Sequence, residues 1–166
     1  GGIKPPLPYD QSGEYLAAAI DASLRRMQVE RIDLYQIHRP DILTHPQEVA
    51  RTLEDALAAG KIGAIGVSNF TIQQIEALAH FVDTPLATTQ PEISPLRIDC
   101  FENGELDQAM RLGLTPLAWS PLGGGRLLSP ESARDRAVAA ELDRVAGEQG
   151  VSRSVAAYSW LMAHPA

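Results

Sequence analysis

Arg31-Ile32-Asp33-Leu34-Tyr35-Gln36-Ile37-His38-Arg39-Pro40-Asp41 is a short run of β-branched, aromatic and apolar residues that stops at a histidine. Pro40 has no N–H to give to a ladder, so the spacing predicts a strand over 32–37 with His38 at its carboxyl end. In parallel α/β architectures chemistry gathers in the loops beyond the carboxyl ends of strands. A histidine that closes one strand also has a purely structural reading, hydrogen-bonded to nearby backbone. The residues at the other strand ends therefore decide its meaning.

On the amino-terminal side, Leu16, Ile20, Leu24 and Met27 recur at the spacing of one helical face between Ser12 and Gln28. On the carboxyl-terminal side, His45-Pro46 opens a helix with proline in the first turn, Val49, Leu53, Ala56 and Leu57 on its inner face, and Gly60 to end it. Ile62 to Val67 carries no charge on either face and reads as a fully buried strand that ends in Ser68-Asn69-Phe70. Thr71 with Gln74 forms a capping box for a helix bearing Ile72, Ile75 and Leu78. A third strand, Leu86 to Gln90, is halted by Pro91. A short helix over 106–112 leads to a fourth strand, Leu114 to Trp119, and to the glycine loop Ser120-Pro121-Leu122-Gly123-Gly124-Gly125-Arg126. Ser129-Pro130 is the expected start of a helix carrying Val138, Leu142 and Val145, and a last helix over 152–163 is expected to bury Val155, Leu161 and Met162. Strands recur roughly every 25–30 residues with helices between them, the rhythm of right-handed βαβ units around a parallel sheet. No repeat, low-complexity tract or linker divides residues 1–166, which read as a single domain.

The chain has 166 residues and a formal net charge of -7, which argues against a partner held through phosphate-backbone contacts such as a nucleic acid. Its one cysteine, Cys100, has no second cysteine to pair with, which fits a reducing cytoplasm. No apolar run is long enough to span a bilayer, and no basic segment followed by an apolar one opens the chain, so neither a membrane partner nor export is expected. Gly1-Gly2-Ile3 without a methionine, followed by the proline-rich 4–8, reads as a connection, so a fragment is expected.

If the strands are parallel, one rim collects His38, then Ser68 and Asn69, then Gln90, then Trp119, Ser120 and the glycine loop. Amide side chains can hold a carboxamide through paired donors and acceptors, and an indole can stack on a flat heterocycle. A glycine loop lets backbone N–H groups approach a phosphate, and Arg126 could add a charge-assisted contact. These are the needs of a nicotinamide dinucleotide, met without a G-x-G-x-x-G fingerprint. Each residue also has its bland reading: turn chemistry for Ser68-Asn69, backbone satisfaction for Gln90, core packing for Trp119, a flexible turn for the glycines. The recurrence at every successive strand end favours the functional reading. No residue is assigned to a metal.

Leu34 to Asp41, Gly60-Lys61 through Phe70, Gln90-Pro91-Glu92 and Ala118 to Gly125 together resemble the successive motifs of the aldo-keto reductase family. Ile93 to Leu96 and Leu106-Asp107-Gln108 further resemble a bacterial subgroup of general oxidoreductases. The resemblance implies a (β/α)8 TIM-type barrel, here a partial barrel of about four parallel strands with flanking helices. It implies reduction of a small-molecule aldehyde or ketone by NADPH, with NADP as product. Carried over by position, His38 matches the histidine that orients the carbonyl, and Ser68, Asn69 and Gln90 match the residues that hold the carboxamide. Trp119 matches the aromatic that stacks on nicotinamide, and Ser120, Leu122 and Gly124 match the pyrophosphate loop.

The family's proton-donating tyrosine and its tuning lysine and aspartate have no match, since Lys4, Tyr9 and Tyr35 occupy other positions. The first three strands and the last are expected to be missing, as is the segment that grips the adenosine phosphate. The chain alone is therefore expected to be inactive or nearly so, and its open sheet edges are expected to drive self-association. The alternatives are an inactive NADP(H)-binding or regulatory module of the same fold, and, less favoured, a barrel lyase or isomerase. The latter commonly recruits lysine or carboxylates at strand ends, which here are chiefly neutral.

Overall fold

The computed structural model describes residues 9–166. The opening glycines and the proline-rich 4–8 lie outside the described residues. Helices and strands alternate in chain order: α1 Gly13–Met27, β1 Tyr35–Ile37, α2 Pro46–Ala58, β2 Ile65–Ser68, α3 Ile72–Ala79, β3 Thr88–Gln90, α4 Glu105–Leu112, β4 Thr115–Pro116, α5 Ala133–Gln149 and α6 Arg153–Met162. The strands form one sheet in the order β1-β2-β3-β4. The chain divides into two compact units, Gly1–Thr89 with Leu112–Thr115, and Gln90–Arg111 with Pro116–Ala166.

In the first unit the helix ends obey local chemistry. Ser12 caps α1 by accepting from the Tyr15 N–H, and Gln28 closes it in the left-handed conformation. His45 caps α2, its Nδ1 accepting from the Gln47 N–H at 3.2 Å. Thr71 and Gln74 form the reciprocal box on α3, each side chain bonded to the other's backbone N–H. β1 and β2 run parallel with Tyr35, Gln36 and Ile37 opposite Ile65, Gly66 and Val67, and a bridge from Ile32 to Ile62 carries the pairing back. Ile65 and Val67 are wholly buried, as a strand covered on both faces requires. α2 turns Val49, Ala50, Leu53 and Ala56 inward, and α1 contributes Leu16 and Ile20, whereas Met27 at the helix end is exposed.

Gly66 has a steric reason to be glycine. A Cβ there would stand 2.0 Å from Thr88 Oγ1 and 2.8 Å from Gln36 Cγ. The Thr88 hydroxyl reaches Gln36 Oε1 at 3.5 Å across this gap. Gly66→Ala is therefore expected to cost about 1–3 kcal/mol, read as a lower urea midpoint at unchanged slope.

In the second unit α5 and α6 pack through Leu142, Ala146, Ala156 and Ala157 around Leu96 and Leu127, with Leu122 and Val138 against them. Ile93, Cys100 and Leu106 make a further cluster with Phe101, Ala118 and Leu161. Three sequence expectations need correction here. The fourth strand is confined to Thr115–Pro116, because Pro116 interrupts the ladder; Trp119 pairs only through an isolated parallel bridge to Glu92. Ser129-Pro130 does not start α5: Ser132 does, through a capping box with Asp135. Finally, α6 buries Ala156 and Ala157, whose small side chains let it approach α5 closely, and of the large residues expected to be buried Leu161 is so in part while Val155 and Met162 are not. Val155 is 45% exposed and Met162 82%.

Candidate functional site

The first unit brings three of the expected site residues together. His38 follows β1 with its side chain exposed. Asn69 follows β2 and binds back to it, Nδ2 donating to the His38 carbonyl and to Ser68 Oγ, both at 2.9 Å. One amide thus ties the ends of two neighbouring strands. Ser68 is 2% exposed, while Asn69 holds φ of 60°, a left-handed backbone that asparagine accepts more readily than most residues. Such backbone outside glycine concentrates at functional sites.

The loop after His38 is ordered by residues whose role sequence reasoning missed. The buried Gln11 donates from its backbone to Asp41 Oδ2 at 3.1 Å, and from its side chain to the Arg39 carbonyl. Asp41 also accepts from the Thr44 hydroxyl and the Leu43 N–H. Desolvation pushes the Asp41 carboxyl upward, but these hydrogen bonds outweigh it and hold it below the usual range. A cleft of about 220 Å³ beside His38 is walled by Tyr9, Asp10, Gln11, Tyr35 and Gln36. The edge of the Tyr9 ring faces the imidazole with centroids 6.4 Å apart.

The second unit holds the remaining expected residues. Trp119 donates its backbone N–H to the Pro91 carbonyl at 3.0 Å, and its carbonyl accepts from the Ile93 N–H at 3.4 Å, so the segment just after Gln90 is held to the indole-bearing one. Ser120 takes φ of 49°, the second non-glycine left-handed residue to follow an expected strand. Gly123, Gly124 and Gly125 all have positive φ, and the loop is drawn tight by Gly123 N–H to the Ser120 carbonyl at 2.7 Å. Gly123 is closed in, since a Cβ there would meet Leu96 Cδ1 at 2.8 Å. Gly124 and Gly125 have no atom within 4 Å of that position, and the Gly125 N–H is given to the Leu122 carbonyl at 3.2 Å, which leaves Gly124 as the glycine with open space and, among the described residues, no such turn bond from its N–H. Leu122 turns its side chain to the core, which leaves only its backbone for the loop.

Arg126, expected to meet a phosphate, is engaged with a carboxylate along one edge of its guanidinium. Its Nε donates to Asp135 Oδ2 at 3.1 Å and its Nη2 to Asp135 Oδ1. Hydrogen bonds from Arg126, then from Ser132, hold the Asp135 carboxyl well below the usual carboxylate range. A depressed folded-state pKa stabilises above the unfolded value of about 3.9 and loses that contribution as pH falls through the folded one. The stability gap between the chain and Asp135→Asn is therefore expected to be constant down to about pH 5 and to close below about pH 4, read from urea melts across pH. Burial first, then the Glu105 and Asp99 charges, push the Cys100 thiol up to about 11, which disfavours its thiolate.

The aldo/keto reductase family model matches residues 3–166. The chain belongs to that family. Over its full length it is 75% identical to a 6-dehydroglucose reductase of Novosphingobium aromaticivorans, covering 55% of that protein. Over 95% of its length it is 40% identical to a 6-dehydroglucose reductase of Agrobacterium fabrum, covering 52% of it. The chain thus spans about half the length of the curated relatives it matches. Among solved structures, a glycerol dehydrogenase from Gluconobacter oxydans superposes with a TM-score of 0.85 at 28% identity, over 97% of this chain and 56% of that one. A thermostable aldo-keto reductase solved with the inhibitor epalrestat also superposes with a TM-score of 0.85, at 25% identity. The fold class is accordingly that of the aldo/keto reductase TIM barrel, of which the four strands here are a part. Among the described residues no helix is long and apolar enough to cross a membrane.

Proposed function

We propose that these residues form the nicotinamide-binding and carbonyl-orienting part of an NADPH-dependent cytoplasmic reductase, and that its substrate is 6-dehydroglucose or a closely similar sugar aldehyde. The observation that carries the reading is the pair of left-handed non-glycine residues, Asn69 and Ser120, each following a strand or expected strand and each at a position the family uses for cofactor. Two further features fit a dinucleotide. Gly124 has open space on its Cβ side, and the Asn69 amide is fixed beside the buried Ser68 hydroxyl.

When bound, the nicotinamide supplies hydride to the carbonyl carbon. Ser68, Asn69 and Gln90 hold its carboxamide, which sets the face from which hydride is delivered. Trp119 would cover the ring, and Ser120 with the Gly124 backbone N–H would receive the phosphates. His38 donates to the carbonyl oxygen and fixes its direction. The cleft beside His38 offers Gln36, Tyr9 and Asp10 as hydrogen-bonding groups among apolar neighbours Leu16, Ala19 and Ile37. The 166 residues contain no match to the family's tyrosine acid, its lysine or its aspartate, and alone they bind cofactor without efficient turnover. The name shared by two relatives supports the substrate.

A chimera tests this directly: the aligned segment of the Novosphingobium reductase is replaced by this chain, and NADPH-dependent reduction of 6-dehydroglucose is followed. Reduction that falls sharply with His38→Ala supports the reading. A folded chimera that binds NADPH yet reduces no sugar aldehyde would overturn the substrate, and one that does not bind NADPH would overturn the cofactor site.

A further inference from the structure

Asp135 is the one buried acid among the described residues, 2% exposed, and it lies nine positions beyond Arg126 on a different element. Both of its oxygens face the Nε–Nη2 edge of the Arg126 guanidinium, a two-point grip that fixes the plane of the group as well as its position. Asp135 Oδ2 also accepts from the Ser132 N–H at 3.3 Å, and its own N–H donates to Ser132 Oγ at 3.0 Å, so the carboxylate is itself locked to the first turn of α5. The Arg126 side chain remains 55% exposed, with its outer edge toward solvent.

Arg126 directly follows three glycines in left-handed backbone, and on its other side Leu127 gives its carbonyl to Arg153 Nη1 at 2.7 Å. Arg153 is in turn paired with Asp143 of α5. The exit of the glycine loop is thus anchored to α5 and α6 by two arginines. Glu92, whose charge also acts on Arg126, is occupied by Arg97 at 2.9 Å. Three consecutive glycines have more conformations available than any other tripeptide, and here turn hydrogen bonds within the loop, Leu96 against Gly123 and the anchors at the loop's exit together restrict them.

We infer that Asp135 is a positioning residue for the phosphate-binding loop: through Arg126 it fixes the glycine backbone and aims the free guanidinium edge at a bound dinucleotide phosphate. The inference rests on the cofactor reading proposed above, and it assigns a role to a side chain that contacts no cofactor itself. Capping α5 is the competing role, and Ser132→Ala removes the cap while leaving the arginine pair in place.

The test uses the 166-residue chain and four variants, Asp135→Asn, Arg126→Gln, the double variant and Ser132→Ala, with two readouts. Hydrogen exchange of the 122–127 amides without cofactor is expected to quicken in Asp135→Asn and Arg126→Gln but not in Ser132→Ala. NADPH titration is expected to show affinity weakened about tenfold in each of the first two variants, the loss of one charge-assisted contact. The double variant should be no weaker than either single one, as for residues acting as a unit. Unchanged loop exchange in Asp135→Asn, or an effect matched by Ser132→Ala, would overturn the inference. Faster exchange in a chain that shows no NADPH binding in any form would uphold the positioning of the loop and overturn the cofactor reading instead. Should Asp135→Asn fail to fold, the surface-exposed Arg126→Gln carries both readouts.

Discussion

Supplied with NADPH and 6-dehydroglucose, the 166-residue chain is expected to turn over at least about 10²–10⁴-fold more slowly than the chimera that supplies the rest of the barrel. The reason is chemical, not a matter of binding. Hydride addition leaves negative charge on the carbonyl oxygen, and a positioned acid must neutralise it as it forms. In the proposed reading His38 orients that oxygen, but the family's proton-donating tyrosine and its tuning lysine and aspartate have no counterparts at matching positions among these residues. Tyr35 is a poor substitute, because burial first and the neighbouring Tyr15 second raise its pKa and make proton loss harder. Initial rates on chain and chimera at saturating NADPH make the comparison. Equal rates would mean that proton transfer uses a group within this chain and that the assignment of roles is wrong.

The second large effect is expected at Trp119. Trp119→Ala should weaken NADPH binding by about 1–3 kcal/mol, the usual worth of an aromatic platform under a flat heterocycle. That corresponds to roughly a 5- to 150-fold rise in Kd. Trp119→Phe should restore most of the loss, since a smaller ring still offers a face. The backbone of the segment is held independently of the indole by the Pro91 and Ile93 hydrogen bonds, so the fold should survive both changes. An alanine variant that binds NADPH as well as the parent chain would remove the stacking role.

The alternation of helices and strands and the placement of His38 and Asn69 just after β1 and β2 were legible because their signals are local, whereas Trp119 lies beyond a strand confined to Thr115–Pro116. Pro46 after a capping histidine, the Thr71–Gln74 box and the prolines at 40 and 91 each act within one turn or one ladder step. The features that escaped depend on contacts distant in sequence. Arg126 beside three glycines reads as a phosphate ligand, and only the turn through residues 127–132 brings Asp135 beneath it. The Ser132–Asp135 box was present as a signal, but Ser129-Pro130 offered a similar start three residues earlier. On α6 the large apolar residues suggested the buried face, whereas close packing against Leu142 and Ala146 selects Ala156 and Ala157. The left-handed backbone of Asn69 and Ser120 was not legible, because neither is the glycine that usually marks it.

The central claim, that these residues form a nicotinamide platform with Trp119 as its stacking face, is tested most directly by titrating NADPH into the chain with Trp160→Phe in the background. That substitution removes the second tryptophan, on α6, and leaves Trp119 as the only emitter of its kind. Saturable quenching of Trp119 emission is expected, reversing when NADPH is displaced by excess NADP. A folded chain whose Trp119 emission shows no saturable response to NADPH would contradict the claim.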